Sequence, residues 1–335
     1  MKKISVYRPT TIEEASGILS QHGGDAAVYA GGTDLLVRLK NRLAQAPTFL
    51  VDIKKIDNLR YIREETRGEH AGGVRIGALT KLAEMTESAV LARKYPMLVK
   101  AIGMISSPEL RNASTIGGDL LQEVWCQYLR GGYSCWRNGG YLCYGAIGDN
   151  SYYHSAMGGR LCYAVYPGDA ATALIPFDAQ VTLATPSGPK TLTVERLVPG
   201  DLLVDGRIQS HVVASNEILT EVVIPPPRPN LRTSFEKLRP RGVWDFAMAS
   251  LALSLEVQGG VVVEARVVFG GIAGRPWREL AVEALLKGKT LGPDLSTDIP
   301  PRALANAAPL KYNAMKIEMA RGLLASGLAR LSAPA

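Results

Sequence analysis

The sequence predicts an α+β protein of two or three domains, and three observations carry that prediction. The chain has 335 residues, 47% of them hydrophobic, enough to bury more than one core. Short β-rich runs alternate with amphipathic helical stretches, with no internal repeat and no low-complexity segment. One proline run, Pro225-Pro226-Pro227 with Arg228-Pro229, interrupts the pattern and reads as a linker before a second α+β unit.

In order, residues 4–7 form a short strand. Thr11 and Glu14 then have the spacing of a capping box for a helix to about residue 21, which Gly23-Gly24 ends. Residues 26–29 are a strand, followed by the turn Ala30-Gly31-Gly32-Thr33-Asp34-Leu35-Leu36 and a helix over about 37–45. Strand, glycine turn and helix start are the parts of a phosphate cradle, although an ordinary tight turn has the same residues. The turn lacks the Gly-x-Gly-x-x-Gly pattern of dinucleotide-binding βαβ units.

Strands follow at 49–53 and 73–77, then helices at 79–86, 89–94 and 97–105, broken at Ser107-Pro108. A second glycine turn, Asn112-Ala113-Ser114-Thr115-Ile116-Gly117-Gly118-Asp119, is the same kind of device as the first. Two such turns suggest one long ligand gripped at two places. Beyond Tyr166-Pro167-Gly168-Asp169, a helix over 170–177 leads to a hairpin of strands 180–184 and 190–194, and 218–224 is a further strand. After the prolines, 234–238 and 261–268 read as strands, and 245–255 fits either strand or helix. Residues 279–287, 302–307 and 311–332 read as helices.

The four cysteines, Cys126, Cys135, Cys143 and Cys162, all fall between the second glycine turn and Asp169. The N-terminus has no secretory apolar core, and no stretch approaches 18 uninterrupted apolar residues, so the expectation is a cytoplasmic chain without a membrane span. Cysteines there are expected to hold metal or do redox work rather than form disulfides. Their spacing, with 8, 7 and 18 intervening residues, lacks the tight knuckles of structural zinc and the runs of ferredoxins. An iron–sulfur cluster in one folded loop, a zinc ion and free buried thiols all remain open. Gly131-Gly132, Gly139-Gly140 and Gly158-Gly159 permit bends, while Trp125, Tyr128, Trp136, Tyr141 and Tyr144 are candidate shields. His154 is expected at the surface or in packing.

A net charge of +7 is spread along the chain without a Lys/Arg-rich run, so nucleic acid is not an expected partner. With four histidines and no Ser/His/Asp or Cys/His arrangement, the chain has no candidate catalytic residue for hydrolysis.

The two glycine turns in this order, Pro167–Asp169, and the region Lys237…Arg241…Asp245-Phe246-Ala247 together resemble the FAD-binding (medium) subunit of molybdenum hydroxylases. That group includes xanthine dehydrogenase, carbon monoxide dehydrogenase and aldehyde oxidoreductase, and the resemblance spans nearly the whole chain. The four-cysteine loop is similar to a narrower set, the flavin subunits of bacterial periplasmic-type aldehyde oxidoreductases and 4-hydroxybenzoyl-CoA reductase, where it holds a [4Fe–4S] cluster.

The resemblance implies a two-part FAD-binding module of the vanillyl-alcohol-oxidase/PCMH-like type, followed by a C-terminal α+β domain of the CO dehydrogenase flavoprotein type. The implied domains are 1–56, 57–226 with the cysteine loop at about 121–165, and 230–335. It implies FAD bound by Ala30, Gly31, Gly32, Thr33, Asp34, Leu35 and Leu36 at the pyrophosphate. Asn112, Ser114, Thr115, Gly117, Gly118, Asp169 and Lys237 would lie along the rest of the cofactor, and a [4Fe–4S] cluster on Cys126, Cys135, Cys143 and Cys162. Two positions depart from the family's pattern: Asp119 where asparagine is frequent, and Gly168 where serine is frequent. A carboxylate near a phosphate is unfavourable, so Asp119 is expected to point away.

The implied function is electron transfer within a multi-subunit enzyme. A large molybdenum-cofactor subunit would do the substrate chemistry, a small subunit would carry two [2Fe–2S] clusters, and electrons would leave FAD for an external acceptor. Co-export to the periplasm with a signal-bearing partner is compatible with this chain. The alternatives are the medium subunit of a 4-hydroxybenzoyl-CoA reductase-like enzyme, a self-contained flavin oxidase, and an assembly subunit whose cluster only fixes a loop.

Overall fold

A computed structural model describes residues 3–43, 46–204 and 207–333. Its strands are β1 (Ser5–Tyr7), β2 (Ala26–Tyr29), β3 (Phe49–Asp52), β4 (Ile62–Glu64), β5 (Val74–Gly77), β6 (Gln180–Thr185), β7 (Gly188–Thr193), β8 (Leu202–Val204), β9 (Arg207–Gln209), β10 (Ile218–Ile224), β11 (Leu231–Leu238), β12 (Ala249–Gln258), β13 (Val261–Gly270) and β14 (Trp277–Arg278). They form a parallel sheet β1-β3-β2, an antiparallel sheet β4-β5-β10-β6-β7, an antiparallel sheet β11-β12-β13-β14 and the small pair β8-β9.

The helix Ile12–His22 begins where expected. Thr11 Oγ1 accepts from the Glu14 N–H at 3.1 Å, satisfying one of the helix's orphan donors, but the Glu14 carboxylate reaches back to the Thr10 N–H rather than to Thr11. Helix Leu35–Lys40 is shorter than the 37–45 reading; Asn41 caps it, and Gln45 lies outside the described residues. Ser107-Pro108 does not only break a helix. The Ser107 hydroxyl caps a new turn, Pro108–Arg111, with proline at its first position. The ambiguous stretch 245–255 resolves as β12, whose first seven residues are buried and which is hydrogen-bonded on both edges. Burial on both faces erases the alternation by which a strand is read.

The expected helix at 302–307 is not present. Pro300–Arg302 is a single 3₁₀ turn, and the long helix starts only at Met315. Between them, Asn313 is fully buried and its side-chain amide donates to the His154 and Ser155 carbonyls, both at 3.1 Å. The segment is shaped by that tertiary contact, not by helical propensity.

The largest core lies between the central sheet and the helices Leu82–Glu87, Pro96–Gly103 and Asp169–Leu174, and it includes Phe235, Ala252 and Val268 from the C-terminal sheet. A second core joins the other face of that sheet to helix Met315–Ser332. Period-two geometry therefore decides where Lys237 points. Phe235 and Lys237 face the central unit, while Glu236 faces away and accepts from Arg330 Nε at 3.1 Å. Among the described residues, no helix is long and apolar enough to cross a membrane.

Candidate functional site

The two glycine turns meet. A Cβ built on Gly31 would overlap the Ala113 carbonyl oxygen, so only glycine permits this approach. Beside it the Ser114 hydroxyl donates to Thr33 Oγ1 at 3.0 Å, tying one turn to the other. Gly32 adopts φ 74, a conformation that disfavours any side chain, and its carbonyl accepts from the Leu36 N–H at 2.9 Å. In the second turn, Thr115 caps the short helix Ile116–Leu120 by accepting from the Gly118 N–H at 3.2 Å.

Two adjoining cavities lie at this junction and share part of their lining. The first, about 160 Å³, is lined by Ala30, Gly31, Gly32, Thr33, Asp34 and Leu35 from one turn and Thr115, Gly117 and Gly118 from the other. The second, about 610 Å³, shares Thr33, Asp34 and Gly118, and extends past Ser114 and Asp119 to Asp169 and Lys237. Twelve of the fourteen sequence-predicted cofactor residues therefore line these two adjoining cavities. Leu36 and Asn112 line neither cavity; Asn112 is exposed on the outer side of its turn.

The floor of the larger cavity is electrostatically unusual. Lys237 Nζ sits 2.5 Å from Asp169 Oδ2 and 3.2 Å from the Met104 carbonyl, and both charged groups are buried. Burial pushes the Asp169 carboxyl above the ordinary range, against the opposing pull of Lys237. Asp119 lies in the cavity wall with its carboxyl buried out of solvent. Its Oδ1 accepts from Gln122 Nε2 at 2.9 Å, while Oδ2 is buried without a partner. Burial, reinforced by the charge of Asp169, raises Asp119 to about 7. The like-charge objection to this position assumes an ionised carboxyl.

Several wall residues lie outside the expected cofactor set. Trp125, Arg130 and Tyr153 come from the cysteine segment, and Trp244 and Phe246 from the loop after β11. Arg130 stacks on the Trp125 ring at 3.7 Å, and its Nη2 lies 3.2 Å from Asp34 Oδ1; its Nε and Nη1 are buried without partners. Trp125 packs on Phe246 with ring centroids 5.6 Å apart. Ser106 and Trp244 have φ values of 57 and 60, and the Trp244 N–H donates to the Ser106 carbonyl at 3.3 Å across the cavity. The glycine spacing marks the turns in the sequence, whereas these residues are united only by the tertiary fold.

All four cysteines surround one small separate cavity, together with Tyr128, Trp136, Tyr144 and Leu161. Cys126, Cys135 and Cys143 each directly precede a helical turn, Gln127–Arg130, Trp136–Asn138 and Tyr144–Ile147. The bends between them need glycine: Gly139 has φ 80, and a Cβ on Gly140 would overlap the Ser134 carbonyl. Burial raises the Cys126 thiol and pushes Cys162 up to about 12. Arg137, fully enclosed, donates from Nε to Cys162 Sγ at 3.2 Å and also to Glu123 at 2.9 Å and Asp201 at 2.7 Å. Among the described residues, no group of three His, Cys, Asp or Glu is placed to hold a single metal ion. Of the expected shields, Tyr128, Trp136 and Tyr144 take that position. Trp125 faces the larger cleft instead, and Tyr141 is 85% exposed. His154 takes the packing alternative rather than the surface: it is buried, with Nε2 3.5 Å from Cys126 Sγ.

Comparison with known proteins gives a consistent result. The family model described as the FAD binding domain in molybdopterin dehydrogenase matches residues 2–227, and the CO dehydrogenase flavoprotein C-terminal domain matches residues 234–331. The chain is 31% identical to the aldehyde oxidoreductase FAD-binding subunit of Escherichia coli (strain K12), over 100% of both chains. It is 28% identical to the carbon monoxide dehydrogenase medium chain of Hydrogenophaga pseudoflava, over 86% of this chain and 81% of that one. A solved carbon monoxide dehydrogenase from Hydrogenophaga pseudoflava, lacking the Mo-pyranopterin moiety, matches with a TM-score of 0.76 at 25% identity over 99% of each chain. Quinoline 2-oxidoreductase from Pseudomonas putida 86 shares the fold, with a TM-score of 0.75 at 19% identity over 99% of this chain and 98% of that one.

Proposed function

The chain belongs to the family of FAD-binding subunits of molybdenum hydroxylases, an oxidoreductase family, and from that premise we propose that FAD occupies the cleft between its two glycine turns. The observation that carries this reading is the junction itself: where Gly31 meets Ala113 two cavities adjoin, the smaller at the turns and the larger reaching Asp169 and Lys237. The narrow end suits a pyrophosphate, where side chains are absent and backbone can approach closely. The wide end, with Trp125, Ile105, Leu110 and Phe246, suits a flat aromatic ring. Ala30 to Leu35, Thr115, Gly117 and Gly118 would hold the first part; Ser114, Asp169 and Lys237 would face the second.

FAD, when bound, supplies the two-electron carrier, and the chain's own residues bind it, orient it and exclude water. The Lys237–Asp169 pair fixes the floor, and Arg130 places a guanidinium on the wall. The substrate chemistry belongs to a large molybdenum-cofactor subunit, and electrons arrive through a small subunit with two [2Fe–2S] clusters, as the family reading implies. We also propose domains at 1–56, 57–226 and 230–335, a reading supported by the three larger sheets, each of which draws its strands from one of those stretches.

The cysteine loop is read as the site of a [4Fe–4S] cluster. Its support is four buried or half-buried thiols that line one cavity together with Tyr128, Trp136 and Tyr144. Arg137 on Cys162 and His154 beside Cys126 would act as outer partners to the ligating sulfurs.

The experiment is purification from a host that makes the whole gene cluster, followed by identification of co-eluting chains and measurement of flavin per chain. One FAD per chain with a molybdenum-containing partner is expected. A lone chain without flavin would contradict the reading.

A further inference from the structure

Helix Ile116–Leu120, helix Asp169–Leu174 and β11 bring two carboxyl groups, Asp119 and Asp169, to the floor of the larger cavity with one ammonium, Lys237. Lys237 is engaged with Asp169. Asp119 has no cation of its own. The groups facing it are Gln122, which donates to Oδ1, the Ala170 N–H, Asp169, Lys237 and the hydroxyl of buried Tyr166, which donates to the Leu120 carbonyl at 3.0 Å. Its Oδ2 is hidden from solvent and unpartnered. An ionised carboxylate left in that state bears the full cost of lost hydration, and a neutral carboxylic acid bears far less. FAD adds the negative charges of its two phosphates to the same cleft.

We propose that FAD binds the form of the chain in which Asp119 carries a proton, so that flavin uptake and protonation of this one carboxyl are a single linked event. The inference rests on the reading of the cleft as the FAD site. The proton resides on Oδ2, where it removes a charge that Lys237 is not free to balance; no direct contact with the cofactor is required. Asp119 is held near 7 in the flavin-free chain by burial and by Asp169, so the linkage falls in the working range of pH. The sequence departure from the family's frequent asparagine thus becomes functional. An asparagine is neutral at every pH, whereas Asp119 matches it only when protonated.

The test is a series of FAD titrations of the full, flavin-stripped chain from pH 6 to pH 8.5, followed by quenching of flavin fluorescence. FAD does not change charge in that window. The wild type is expected to bind roughly tenfold more weakly at pH 8.5 than at pH 6. Asp119→Asn, which keeps the Gln122 hydrogen bond and the volume, is expected to vary by less than about twofold across the range. A wild-type affinity that is constant with pH overturns the inference and needs no variant to do so. An undiminished slope in Asp119→Asn assigns the proton to another group and also overturns it. Failure to bind FAD at any pH overturns the cleft reading together with it, whereas tight, pH-independent binding overturns the inference alone.

Discussion

Gly31 lies so close to Ala113 that the Cβ it lacks would fall on the Ala113 carbonyl oxygen. This contact joins the first glycine turn, which follows β2 of the parallel sheet, to the second, which leads into the central core. Gly31→Val must push the turns apart or strain both, and overpacking of this kind costs typically 1–3 kcal/mol. The expected outcome is folded protein with flavin absorbance per chain reduced at least tenfold. Retention of one FAD per chain would show that the junction does not shape the site.

The Lys237–Asp169 pair gives a second prediction. Lys237→Met leaves a buried carboxyl with no cation, and breaking such a pair costs about 3–5 kcal/mol. The melting temperature should fall markedly in the single variant and recover in part when Asp169→Asn is added. Equal losses in single and double variants would mean that the two residues act independently.

Asp119 also gives a stability prediction separate from binding. Its folded-state value, about 7, lies above the ordinary 3.8. A raised carboxyl contributes stability that is present below about 3.8 and lost as pH rises through 7. In flavin-free protein, Asp119→Asn should therefore gain on the wild type between pH 5 and pH 8, seen as a larger melting-temperature difference at pH 8. A difference that is constant with pH would contradict the assignment of a neutral, buried acid.

For the cysteine loop, iron and acid-labile sulfide should each approach four per chain in anaerobically prepared protein. Zinc at one per chain without sulfide would replace the cluster by a single ion. The loop also supplies Trp125, Arg130 and Tyr153 to the cleft, and Arg130 ends the turn that Cys126 begins. Cys126→Ser should therefore lower FAD occupancy as well as iron, because a filled site fixes the wall. Full FAD occupancy in an iron-free Cys126→Ser chain would separate the two sites.

Much of this arrangement is legible in the sequence, for reasons that differ by element. The strands at Ala26–Tyr29 and Ile218–Ile224 and the helix Ala89–Lys94 have the expected bounds, because turn residues punctuate them. Twelve of the fourteen positions expected from glycine spacing and the family resemblance line the cleft. Arg130, Arg137, Tyr153 and Trp244 are not among the expected positions, since an arginine becomes informative only when burial removes its water, and burial here depends on segments far apart in the chain. The protonation of Asp119 is out of reach for the same reason: it follows from burial beside Asp169, not from the residue type. The helix expected at 302–307 fails where Asn313 and Lys316 bind the cysteine segment. Lys316 Nζ donates to the Tyr152 carbonyl at 2.7 Å and the His154 carbonyl at 3.0 Å. A periodicity argument has no access to such long-range partners.

The central claim is that this chain carries electrons for chemistry done elsewhere. The direct measurement is the flavin absorbance of the assembled complex and of the isolated FAD-loaded chain, each mixed anaerobically with a panel of aldehydes and N-heterocycles. Bleaching of one FAD per chain in the complex, and none in the isolated chain, is the predicted result. Substrate-dependent bleaching of the isolated chain would show a self-contained flavin oxidase and contradict the account.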